Sequence, residues 1–233
     1  MDSILTHQFS EIDFDYKRPS LLRKILGLIY SPSKTLNLLS KIPDNRIPLL
    51  NTSLIILFTS LPYLFLIFHL TVSGSDIFIS MITNYFLSSF LSVLFVNVLL
   101  LTLSWALLAF IYWILLKYFN KRISYNEIFK LTVQCLTPLI FSRVFLTLSV
   151  YVALPNINII EGESLELISN QISILFNSYN WILYKFIDDG VWLWSALLIS
   201  IGFKEYYNVN FKKSLFISFT VIISYLLILN IPL

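Results

Sequence analysis

The chain has 233 residues, of which 57% are hydrophobic and only 12% charged. A soluble globular chain is about 45–50% apolar and about 25% charged, so this one has too little polar surface to face water and must fold largely in lipid. The net charge of +3 is too small to mark a nucleic-acid binder, and the single cysteine, Cys135, excludes an intrachain disulfide and a thiolate metal site.

Residues 1–18 are polar and aperiodic and read as a flexible cytosolic arm. Glu11, Asp13 and Asp15 occur there with no apolar core of a signal peptide, so insertion is expected to rest on the first span. From residue 19 to 233 the chain reads as one membrane domain. The run PSLLRKILGLIY spaces Leu21, Leu22, Ile25, Leu28 and Ile29 for a helix, and SPSKTLNLLSKIP repeats the pattern with Leu36, Leu39 and Ile42. Ser31 is the expected N-cap of the second helix and Pro32 suits its first position. Arg23 and Lys24 fall between the apolar residues of the first helix and Lys34 and Lys41 off the stripe of the second, as in basic amphipathic helices resting on anionic lipid.

The first span is expected over about Ile47–Val72, kinked at Pro62. The apolar stretch from Ile77 to Leu116 is about twice the length that crosses a hydrocarbon core. It predicts an interfacial segment to about Phe86 and then the second span. Tyr112, Trp113 and Tyr118 are expected in an interfacial aromatic belt at its end. The third span is expected over about Ile128–Leu154, with Pro138 and Arg143 inside it. The fourth covers about Ile187–Phe203, with Asp188 and Asp189 at its start, and the fifth about Ser214–Ile231. The predicted class is therefore all-α: a polytopic bundle of about five transmembrane helices preceded by amphipathic interfacial helices.

Fourteen of the sixteen basic residues fall in the N-terminal region and the segments after the second and fourth spans. Five spans put those segments on one side, and the positive-inside rule makes it the cytosol. The expected location is the cell membrane, with the N-terminus cytosolic and the C-terminus outside.

Arg143 is the costliest residue to bury, at about 2.5–3.5 kcal/mol on insertion scales. Three readings are open: an ion pair with Asp188 or Asp189, snorkelling without a protein partner, or a ligand or ion site. The adjacent aspartates do not suit an aspartyl-protease dyad, because neighbours on a helix point about 100° apart. His7 and His69 have no metal-ligand neighbours, and no GxSxG, HExxH or GxxxxGK pattern occurs. No cofactor and no enzymatic activity are expected. Asn51, Thr59, Ser88, Ser89, Asn97 and Ser104 could line a polar path, but read first as structural glue that hydrogen-bonds to backbone or to neighbouring helices.

Three segments together resemble one family. They are SPSKTLNLLSKIPDNRIPLL, with Pro32 and Pro48; ISYNEIFKLTVQCLTPLI, with Pro138; and VWLWSALLISIGFKEYYNVNFKKSLFISF, with Trp192, Trp194, Gly202 and Lys213. Their order and the five-span topology resemble the Yip-domain family of Ypt/Rab-interacting membrane proteins and their prokaryotic relatives. The resemblance implies a non-enzymatic scaffold or adaptor. Its partners would be the bilayer, other membrane proteins or further copies of itself, with a small GTPase possible. The alternative is a small-solute or ion transporter or channel using Arg143 and Asp188/Asp189.

Overall fold

The computed structural model describes residues 20–68, 70–118, 123–153, 157–162 and 179–229. The arm at 1–18 lies outside the described residues. Helix α1 (Leu21–Tyr30) starts at Ser20, whose hydroxyl accepts the Arg23 N–H, and α2 (Pro32–Lys41) follows after one residue. Ser31 is at the expected cap position, but its hydroxyl makes no capping bond and turns back to the Gly27 carbonyl instead. The two helices close on each other at Gly27, where a Cβ would lie 2.5 Å from Thr35 Oγ1.

Helix α3 (Arg46–Phe68) runs on through Pro62 and leads into β1 (Leu70–Ser73). Helix α4 (Asp76–Tyr118) is continuous for 43 residues. No separate interfacial segment ends near Phe86. The sequence from Ile77 to Leu116 contains neither proline nor glycine, so nothing in the backbone breaks the ladder. Helix α5 (Tyr125–Cys135) opens with a capping box between Ser124 and Glu127. Helix α6 (Leu139–Ala153) follows after a bend of 43°. The expected third span is thus a broken pair starting at Tyr125, interrupted where Pro138 has no N–H to donate. β2 (Ile157–Ile160) pairs in parallel with β1, Leu70 opposite Ile157. The Glu161 carboxylate just beyond accepts from the Ser75 N–H and hydroxyl, so this strap ties α4 to the far end of α6. Helices α7 (Tyr179–Tyr207) and α8 (Phe211–Leu229) form a hairpin. Asn208 turns the chain at φ +50°, a conformation asparagine tolerates.

The class is all-α, a helical membrane bundle, and the two four-residue strands are its only sheet among the described residues. Helices α4, α7 and α8 are long and apolar enough to cross a membrane, α5 with α6 qualifies as one bent span, and α3 supplies a shorter apolar helix. The core joins α2, α4, α5, α7 and α8 through Leu36, Leu39, Trp105, Leu108, Leu131, Ile199, Phe203 and Ile222. Tyr112, expected at an interface, is inside that core. Its ring packs edge-on to Phe203 at 5.3 Å and its hydroxyl donates to the Ser218 carbonyl. Gly202 admits Leu131, whose Cδ1 would be 2.8 Å from any Cβ there.

Candidate functional site

Two polar sites stand out from the apolar bundle. The first is intramembrane, between α6 and α7. The bend at Pro138 starts α6 so that Ser142 and Arg143 face α7. On α7, Tyr184 and Asp188 are four residues apart and so share a face. Arg143 Nη2 lies 3.4 Å from Asp188 Oδ2, and its Nη1 donates to the Tyr184 hydroxyl. The Ser142 hydroxyl donates to Asp188 Oδ1 at 2.7 Å. Both charged side chains are largely buried, 14% and 17% exposed. One turn further along α7, the Trp192 ring packs on Tyr225 of α8 at 5.0 Å. Arg143 Nε is buried without a partner among the described residues. Asp189 is half-buried on α7, and Asp188 alone of the two reaches ion-pair distance of Arg143. Sequence reasoning missed Ser142 and Tyr184. The first is adjacent to Arg143, and the second is one helical turn before Asp188, which was the available signal.

The second site is at the opposite end, where α1 and α2 meet the ends of the spans. Asp44, between α2 and α3, accepts from Lys24 Nζ at 2.6 Å and from the Arg46 N–H at 3.1 Å and Nε at 3.0 Å. Arg46 and Lys24 together hold its carboxyl well below the usual carboxylate range, against the opposing effect of burial. Lys24 is therefore not an outward basic residue like its neighbours. It is buried and paired, because its position on α1 faces the turn that carries Asp44. Arg23, Lys34 and Lys41 are exposed. Helix α2 is fixed to α7 through Glu205, whose carboxylate accepts from the Ser33 hydroxyl at 2.7 Å and the Asn37 amide at 2.9 Å. Lys204, Lys212 and Lys213 are exposed at the same end.

Elsewhere the polar side chains link helices or bond within them. Asn51 on α3 donates to Thr137 and to the Val133 carbonyl beside the break. Asn97 donates to Ser60, and Thr59, Ser88 and Ser104 bond to carbonyls of their own helices. A groove between α3 and α6, lined by Phe58, Leu61, Phe65, Val144, Leu148 and Tyr151, is almost wholly apolar and offers no seat for an ion.

The sequence profile of the Yip1 domain family matches residues 26–231, from within α1 to the end of α8. The chain belongs to the Yip1 domain family. The match takes in the whole intramembrane site and, at the basic end, Asp44 and Glu205 but not Lys24, so the end of α1, all of α2, the broken third span and the α7–α8 hairpin fall within the Yip1 domain. The family is one of membrane proteins, is associated with membrane-protein and Rab GTPase interactions, and is not known as enzymatic. Neither the curated proteins nor the solved structures contain a match to this chain.

Proposed function

We propose that this Yip1-domain protein is a non-enzymatic membrane scaffold or adaptor, whose basic end engages the bilayer surface and partner proteins. The carrying observation is the division of its charges. Lys24, Asp44, Glu205, Arg143 and Asp188 are held in contacts that fix one helix to another, while Arg23, Lys34, Lys41 and Lys212 are exposed at one end. Outward cations beside interfacial helices attract anionic headgroups and acidic partner surfaces. In this reading the basic end is cytosolic in the cell membrane and the C-terminus is outside. A small GTPase is one partner class consistent with the family.

The test is cross-linking capture from native membranes, comparing the wild type with the triple variant Arg23→Gln, Lys34→Gln, Lys41→Gln. The scaffold reading expects the captured partner to be lost and the bundle to remain folded. Identical capture from both would overturn it. A transporter reading draws on one observation, the buried Arg143 Nε without a partner among the described residues. It requires solute or ion flux in proteoliposomes that Arg143→Lys abolishes without altering partner capture.

A further inference from the structure

We propose that the first half of α4 is a pairing seam for α4 of a second copy of this chain, the two helices running parallel about a two-fold axis. The pairing does not depend on the scaffold reading.

Helix α4 has 43 residues. A helix tilted by 40°, the steep end of the usual range, needs only about 26 residues to cross a roughly 30 Å core. About 17 residues of α4 are therefore in excess. Its C-terminal end is anchored, with Lys117 Nζ 4.9 Å from the centre of the Trp113 ring and the Trp113 indole donating to the Ile123 carbonyl. The excess falls in the first turns, from Asp76 to about Ser92.

No residue from Asp76 to Ser104 is buried. The half-buried positions Ile79, Ile82, Phe86, Phe90, Val93 and Asn97 form one face, and Asn97 donates to Ser60 of α3. The opposite face repeats at steps of four and three: Ile77, Met81, Asn84, Ser88, Leu91 and Phe95, all exposed. That is the a/d spacing of a coiled-coil seam. Within the excess turns Ile77, Met81, Tyr85 and Leu91, on or beside the seam, are 57–83% exposed. At about 150–250 Å² for a large side chain, they present on the order of 500 Å², and the exposed Asn84 and Ser88 between them bring the face toward the roughly 800 Å² per partner of a standard interface.

The composition of the seam selects the occupant. All copies of a membrane protein share one orientation, so a self-complementary seam can meet itself only in parallel. In that arrangement equivalent residues face each other across the axis. Asn84 has no side-chain partner among the described residues. In a parallel pair it meets the second Asn84, donor to acceptor, the device that fixes register and strand number in coiled coils. Ser88, one turn on, is small enough to let the backbones approach.

Disulfide cross-linking in native membranes tests this. Met81→Cys and Ser88→Cys lie on the seam, and Thr83→Cys and Val96→Cys are exposed positions to either side of it. The native Cys135 is buried and is left in place. With a copper–phenanthroline oxidant, the seam variants are expected to run at twice the chain mass and the flanking variants at the monomer mass. Equal cross-linking at all four positions would mean random collision and would overturn the proposal. An adduct of any other mass would mean a different partner and would overturn it too. If all four variants stay monomeric, the seam is not a dimer contact. Protection of Ser88→Cys from a water-soluble maleimide would then show that the chain covers the face itself.

Discussion

Arg143→Leu tests whether the intramembrane pair is worth more broken than absent. At 3.4 Å the gross attraction is about 5 kcal/mol for an effective dielectric near 20, but desolvating the two ions costs several kcal/mol each. The intact pair therefore contributes little net stability. Removing the guanidinium alone leaves the Asp188 carboxyl in a largely buried site without its cationic partner, while the Ser142 hydroxyl still donates to it. Breaking a buried pair costs about 3–5 kcal/mol, and the surviving serine contact puts this case at about 3. Adding Asp188→Asn removes the stranded charge and keeps an acceptor for Ser142, so the double variant should recover about 2 kcal/mol of that loss. Denaturant unfolding in bicelles, followed by tryptophan fluorescence, measures both variants against the wild type. If Arg143→Leu and Arg143→Leu/Asp188→Asn are equally stable, Asp188 is not left unpaired by the loss of Arg143 and the reasoning fails.

Gly202→Ala should destabilise by about 1–3 kcal/mol, because its Cβ meets Leu131 at 2.8 Å; Gly190→Ala, with nothing within 4 Å, should be neutral or stabilising, and thermal unfolding compares the two. The depressed carboxyl of Asp44 binds its proton less readily folded than unfolded. Its contribution is thus full above the unfolded value of about 3.9 and is lost as pH falls further; an Asp44→Asn variant should show a flatter stability profile below pH ~4 and the same profile from 5 to 7. Glu205→Ala should cost about 1–2 kcal/mol and free α2 from α7, read as faster proteolysis within residues 30–45; unchanged cleavage would mean that Leu36 and Leu39 alone hold the helix. Reporter fusions after Ser124 and Asn208 should read cytosolic and those after Glu163 and Leu233 external, and a cytosolic C-terminus would sink the five-span topology.

The second, fourth and fifth spans were legible because lipid demands long apolar runs, and runs such as Ser214–Ile231 have no other reading. Their interruptions were less so. Pro62 and Pro138 look alike in sequence, yet α3 runs on through the first and the third span bends 43° at the second. The difference lies in tertiary partners. At the second break Asn51 donates to Thr137 and to the Val133 carbonyl, groups beside the interrupted ladder. That contact spans 82 residues and more, beyond the reach of any local pattern. Tyr112 was misplaced for a related reason. A tyrosine near the end of a span suits an interfacial belt, but at the α4–α8 crossing the Ser218 carbonyl gives its hydroxyl a partner, so the ring can sit in the core.

The charged residues show the same limit from the other side. Depth along the helices brings Arg143 level with the expected start of the fourth span at about Ile187, because rise per residue is fixed; α7 itself begins earlier, at Tyr179, so Asp188 is nine residues into the helix. Depth says nothing of which side chains share a face once neighbouring helices have rotated, and so Tyr184 and Ser142 went unseen beside it. Lys24 is the sharper case. By spacing it borders the apolar stripe of α1, three residues after Leu21 and four before Leu28, whereas Arg23 is on the far side. What pairs it inside is Asp44, twenty residues on, in the turn after α2, the helix that Glu205 fixes to α7. The outward or inward fate of a basic residue at this end is thus decided by the packing of α2. Release of α2 would expose Lys24 and Asp44 together and change the charge pattern that the basic end offers to a bilayer or a partner.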